Sequence, residues 1–219
     1  MQWSVIIQAI FRSNFVLFGL PLTIAVFGDS AASIAAMMVT VVVSIYNTTS
    51  VFILEMFNGE GKSDIKKTLK AVATNPLLQG AIVGLIFFFL GIKLPGSLVT
   101  PIAAFSNMTS PLAIYVLGGT LQFKAIRKNL KYLVPTLTCK LFILPAIIIA
   151  IAYAFGLRGL ELFLLIAVYA TPVAAASYPM AQNMGGDGEL AGQFVVISTA
   201  VSMFTLFLWI FFMKSVGLI

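Results

Sequence analysis

Two apolar stretches of this chain are interrupted in the same way. Residues 14–29 read N-x6-P-x6-GD and residues 172–187 read P-x6-P-x6-GD. Asn14, Pro21, Gly28 and Asp29 are thus answered, 158 positions later, by Pro172, Pro179, Gly186 and Asp187. Val43 and Ser44 recur in the same register as Val201 and Ser202. A proline inside a helix removes one hydrogen bond and blocks the carbonyl four residues earlier. Backbone freed in this way at bilayer depth persists only where protein or a wet cavity lines it. One such proline would be expected only to kink its helix. Two matched sets of Gly/Pro interruptions in two half-molecules are the sequence sign of a secondary transporter built from repeats.

Composition sets the class. The chain is 60% hydrophobic and 9% charged, where a soluble domain averages roughly 25% charged residues. An all-α membrane protein, a polytopic helical bundle, is expected. The net charge of +6 is not a sign of nucleic-acid binding, because the basic residues concentrate in two short segments between apolar spans, where they act as topology signals. A single cysteine, Cys139, excludes an intrachain disulfide. With no histidine and seven acidic residues, most metal sites and His-based triads are out of reach. No cofactor and no metal are expected, and an enzyme is the least expected class. A signal peptide is not expected either, since Arg12 interrupts the opening run and no small-x-small site follows. The N-x-T sequons at Asn47 and Asn107 fall in predicted membrane helices.

Seven spans of roughly 18–27 residues, each adequate for the hydrocarbon core, are predicted at 4–27, 31–57, 76–94, 97–121, 133–155, 161–183 and 190–214. Lys62, Lys66, Lys67 and Lys70 lie in one connection, and Lys124, Arg127, Lys128 and Lys131 in another two spans on. Both can therefore face the cytoplasm, which puts the N-terminus inside and the C-terminus outside. The first and sixth spans then cross in opposite senses, so the repeat is inverted, with five helices per unit. On this reading residues 1–57 hold the last two helices of the first repeat, 58–74 a cytoplasmic loop, and 75–219 the complete second repeat. By the same count about 80 residues and three helices would precede Met1 in a ten-helix carrier.

The candidate site follows from the breaks. Pro21, with Gly19 two residues before it, is expected to open the first span near its middle; Pro172 and Pro179 are expected to do the same around Ala174–Ser177. If the breaks cross, half-helix N-termini present partial positive charge suited to a carboxylate. Asn14 could donate an amide to an anion, with Thr171, Ser177 and Tyr178 in the partner position. Asn47 sits deep in an apolar run, as a ligand contact or an interhelical hydrogen bond. Lys140, eight residues into the fifth span, could attract an anion, or could snorkel to the interface. Arg12, Glu55 and Glu161 read as interfacial, and Asp29 and Asp187 as turns leading to helix N-caps. Gly80 and Gly84, and Gly118 and Gly119, read as packing surfaces.

The run FRSNFVLFGLPLTIAVFG, followed by a span ending VVVSIYNTTSVF, resembles the auxin efflux carrier family. So do NPLLQGAIVGLIF at 75–87, SPLAIYVLGGTLQF at 110–123 and ATPVAAASYPMAQNMGGD at 170–187. In plants that family includes the PIN-FORMED exporters, and in bacteria malate and malonate permease-like proteins. The resemblance implies inverted five-helix repeats whose fourth and ninth helices break and cross at prolines to form the substrate site. Those helices match the first and sixth spans here, and the crossover residues match Asn14, Pro21, Pro172 and Pro179. It also implies elevator-like movement of an organic anion such as a mono- or dicarboxylate, in a multi-pass protein of the cell membrane that is homodimeric through its scaffold. Spans three and four would be scaffold and the others mobile. The long cytoplasmic loop of the plant exporters is absent, which favours the bacterial permease-like branch. Candidate substrate-binding residues are Asn14, Gly19, Pro21, Asn47, Thr171, Pro172, Ser177 and Pro179. Two alternatives stand beside this reading: a sodium-coupled carrier of the bile-acid-symporter type, separable by sodium dependence of uptake, and a membrane subunit or fragment that does not itself transport.

Overall fold

The computed structural model describes residues 2–58, 74, 76–92, 94–120 and 123–219. Its helices are α1 (Gln2–Phe11), α2 (Leu20–Phe27), α3 (Ala32–Asn58), α4 (Pro76–Phe89), α5 (Gly96–Thr120), α6 (Phe123–Thr138), α7 (Leu144–Ala154), α8 (Gly159–Tyr169), α9 (Ser177–Asn183) and α10 (Gly188–Ser215). Three continuous stretches, Asp29–Phe57, Ile126–Ala154 and Gly188–Ser215, are long and apolar enough to cross a bilayer. The first and sixth expected spans are each split into two short helices, α1 with α2 and α8 with α9. The loop expected over 58–74 falls almost wholly outside the described residues.

Prolines do not decide by themselves where a span opens. α5 carries Pro101 and Pro111 and stays continuous. In the first span the opening lies not at Gly19–Pro21, as the sequence suggested, but upstream at Arg12–Asn14. The chain passes Pro21 by widening into a π turn, Phe15–Gly19, in which the Leu20 N–H reaches back to Phe15 O. That extra residue per turn accommodates the proline, which then sits harmlessly in the first turn of α2. The helix yields instead at the polar triplet Arg12-Ser13-Asn14, where the other broken segment offers its backbone.

The same device recurs in the fifth span. Pro145 is preceded by the π turn Cys139–Ile143, and the carbonyl it cannot bond, that of Leu141, accepts the Trp209 indole N–H at 2.9 Å. α10 thus satisfies a backbone group that would otherwise be orphaned in the apolar layer. Trp209→Phe should lower stability by about 1–3 kcal/mol, the cost of a buried acceptor left unpaired. Thermal unfolding in detergent would read this, and an unchanged midpoint would remove Trp209 from the role.

Residues 123–132, expected as a loop, are helical. No glycine interrupts them, and Ile126 and Leu133 pack into the core at helical spacing, so the span simply begins earlier, with Lys128 and Lys131 exposed. At the turns, Gly28 (φ 79°) ends α2 and Gly185 (φ 71°) follows α9. Asp187 accepts the Leu190 N–H at 2.9 Å as the N-cap of α10, as expected; Asp29 makes no such cap.

Two apolar clusters flank the breaks. One joins α1, the far end of α3, α6, α9 and α10 around Val5, Leu54, Leu133, Met180 and Phe194. The other joins Phe15, α3 and α8 around Ala35, Tyr46, Phe163 and Ala167. α4 and α5 stand outside them, α4 packing on α3 and α5 touching α9. Ile82, Val83 and Phe89 of α4 and Ile102, Phe105 and Tyr115 of α5 are exposed, an outline suited to acyl chains rather than water.

Candidate functional site

α1 closes with the Arg12 N–H on Gln8 O at 2.9 Å, and the chain then runs extended. Ser13 bridges Val173 in antiparallel fashion, with the Asn14 N–H donating to Pro172 O at 2.7 Å and the Ala174 N–H to Arg12 O at 3.4 Å. The Val173 N–H is taken by Ser198 Oγ of α10 at 3.0 Å. The two broken spans therefore cross, α1 lying beside α9 and α2 beside α8. Asn14 and Pro172, equivalent in the repeat, stand opposite each other. Such a pair normally exchanges two hydrogen bonds. Pro172 has no N–H to return, so Asn14 O accepts from the Phe18 N–H at 3.1 Å. A proline at one of two equivalent positions makes the crossing asymmetric.

Hydroxyls satisfy the carbonyls left over. Thr171 donates to Ala167 O at 2.9 Å, Tyr46 to Val168 O at 3.2 Å, and Thr23 to Gly19 O at 2.7 Å. Gly19 is a close-packing position, since a Cβ there would lie 2.2 Å from the Phe15 ring and 3.0 Å from Ala167 O.

On one side of the crossing a cavity of about 950 Å³ opens. Its wall includes Arg12, Ser13 and Asn14 from the break, Tyr46 and Asn47 from α3, Ala174–Ala176, Pro179 and Met180 from the second break and α9, and Ser106 and Asn107 from α5. Of the eight residues singled out by sequence, Asn14, Asn47 and Pro179 line it. Thr171 and Pro172 are buried in the crossing backbone behind it, and Ser177 is buried with its hydroxyl unpartnered. Gly19 packs α2 against α8, and Pro21 is exposed.

Two basic residues stand at the crossing; the sequence reading placed Arg12 at the interface and left Lys140 open between an anion-attracting group and an interfacial one. Arg12 is not interfacial but 5% exposed, because α1 ends where the span breaks rather than at a membrane surface. Its Nη2 donates to Asn47 Oδ1 at 2.8 Å and its Nη1 to Met180 Sδ at 2.8 Å, while Nε has no partner. Lys140 does not snorkel: it is 0% exposed and donates to Ser13 Oγ. The π turn that carries it packs against α1 and α10, so its side chain enters the bundle. No carboxylate among the described residues pairs with either cation. Asp29, Glu161 and Glu189 are exposed, Glu55 and Asp187 only half-buried, and Asp187 is occupied as a cap.

Ser13 and Ser106 were therefore missed as candidates, and Arg12 and Asn107 were given other roles. Arg12 and Ser13 carried a usable signal, being the polar neighbours of Asn14 inside an apolar run. Ser106 and Asn107 carried none.

A helical membrane protein in which two broken spans cross beside a polar cavity has the build of a transporter. The chain matches the family described as membrane transport protein over residues 1–210, and it belongs to that family, the auxin efflux carriers that its sequence resembles. It is similar to an uncharacterized transporter of Methanothermobacter thermautotrophicus, 24% identical over 207 residues, covering 94% of this chain and 67% of that protein. It is also similar to an uncharacterized transporter of Methanocaldococcus jannaschii, 26% identical over 152 residues, covering 68% of this chain and 49% of that protein.

Proposed function

We propose that this protein is a secondary active carrier of small organic anions, mono- or dicarboxylates, that binds its substrate at the crossover. It would work by elevator-type alternating access as a multi-pass homodimer of the cell membrane, with inverted five-helix repeats and α4 and α5 on the scaffold side. The single observation that carries the reading is Arg12. A guanidinium buried beside broken backbone, lining a cavity and with no acidic partner among the described residues, has an unmet demand for negative charge. Burying an ion costs several kcal/mol unless a counter-charge and hydrogen bonds repay it. A carboxylate entering the cavity supplies both, in the planar geometry a guanidinium matches. Asn14 and the Asn47 amide stand on the same wall to orient it.

The test is uptake of radiolabelled malate and acetate into proteoliposomes of the protein purified from its own membrane. Uptake of at least one probe is expected, and Arg12→Gln should reduce it by roughly 100-fold, about 2.7 kcal/mol of lost charge-assisted binding. Uptake that Arg12→Gln leaves unchanged would sink the assignment of this site.

A further inference from the structure

We infer that the carrier is an anion exchanger: it returns across the membrane loaded, and the empty form crosses poorly. The inference rests on the organic-anion reading above and deepens it. Its basis is the charge inventory of the crossover.

Four half-helix ends meet there. The C-termini of α1 and α8 bring partial negative charge, and the segments leading into α2 and α9 bring partial positive charge. To first order these cancel. What remains is two basic groups, Arg12 and Lys140, joined through adjacent residues, since Lys140 donates to the hydroxyl of Ser13 and Arg12 precedes it. Neither has a carboxylate among the described residues, and Asn47, Met180 and Ser13 offer them only neutral acceptors.

Alternating access of any kind passes through an occluded state in which the cavity closes on the site. With the site empty, closure strips the remaining water from the Arg12 guanidinium in an apolar surround, with Lys140 already sealed behind Ser13. With a carboxylate bound, the Arg12 charge is neutralised. Occlusion is thus selectively costly for the empty carrier, and a barrier on that step alone converts a two-way facilitator into an exchanger. Lys140 has no second function on this account: it is too deep to line the cavity, and its charge acts through Ser13.

Exchange is read in proteoliposomes with the membrane potential clamped, using radiolabelled malate and acetate outside and either buffer or the same unlabelled anion inside. Preloading is expected to raise initial uptake roughly tenfold or more, the mark of a slow empty return. Lys140→Met should narrow that ratio by speeding uptake into empty vesicles, and Lys140→Arg should preserve it. Equal uptake into empty and preloaded vesicles would overturn the exchange inference and leave the anion reading standing. No uptake of either probe in either kind of vesicle would overturn both. Should Lys140→Met not fold, the wild-type ratio decides alone.

Discussion

Asn47→Asp is expected to abolish anion uptake while leaving the protein folded. Asn47 Oδ1 accepts from Arg12 Nη2 at 2.8 Å, so the substitution places a carboxylate of nearly the same shape on the guanidinium. A bond from a charged donor to a neutral amide becomes an ion pair with both partners charged, which adds Coulombic attraction to the hydrogen bond. That built-in anion competes with substrate at a single cation. Uptake should fall by roughly 100-fold, and the unfolding midpoint should hold or rise because an uncompensated buried charge has gained its partner. Asn47→Ala removes the positioning of Arg12 and the amide that orients the substrate without adding a competing anion, and should cost about tenfold in apparent affinity. The two variants separate occupation of Arg12 from damage to α3: the aspartate loses transport without losing stability, whereas a damaged helix loses both. An Asn47→Asp protein transporting at the wild-type rate would mean that Arg12 does not receive the substrate.

Gly19→Leu should prevent the crossing from assembling. A Cβ at Gly19 would lie 2.2 Å from the Phe15 ring and 3.0 Å from the Ala167 carbonyl, and Phe15 is itself buried, so the ring has nowhere to move. The carbonyl belongs to α8, so the clash bears directly on the contact between the two broken spans. Overpacking a tight core costs about 1–3 kcal/mol for extra methylenes, and a leucine against backbone exceeds that range. A loss of monodisperse protein on size-exclusion chromatography is expected. Gly84→Leu is the matched control, because nothing lies within 4 Å of a Cβ there. If both variants behaved like wild type, Gly19 would have no role in holding α2 on α8. The sequence reading placed Gly19 in the binding site as a helix opener; in the structure it is a close-packing position of the same crossover, against Phe15 and Ala167.

The difference between the expected and observed opening of the first span has one cause. A proline forbids one hydrogen bond, but a helix can evade that by widening a turn, as it does before both Pro21 and Pro145. Where the chain actually opens is set by what can replace the lost bonds. Arg12-Ser13-Asn14 finds the backbone of Pro172–Ala174, and Phe15–Gly19 finds nothing comparable. α5 makes the same point in reverse, with two prolines and no break. The proline pattern therefore located the broken spans correctly, and the residue of rupture lay outside its reach.

By itself the sequence determined the membrane class, the two spans that break, their matched spacing and the family, since hydropathy, proline and glycine act through local backbone chemistry and register. Asn14, Asn47 and Pro179, which line the cavity, were legible as candidates from proline placement and from polar groups inside apolar runs. Only the tertiary structure decided that Arg12 and Lys140 are interior charges rather than interfacial ones. Their burial depends on partners far away in the chain: Asn47 is 35 positions from Arg12, Met180 is 168, and Ser13 is 127 from Lys140. A lysine or arginine near the end of an apolar run has the same local sequence whether it snorkels to water or turns inward. Which it does depends on whether other helices close over it, and no pattern local to the residue records that.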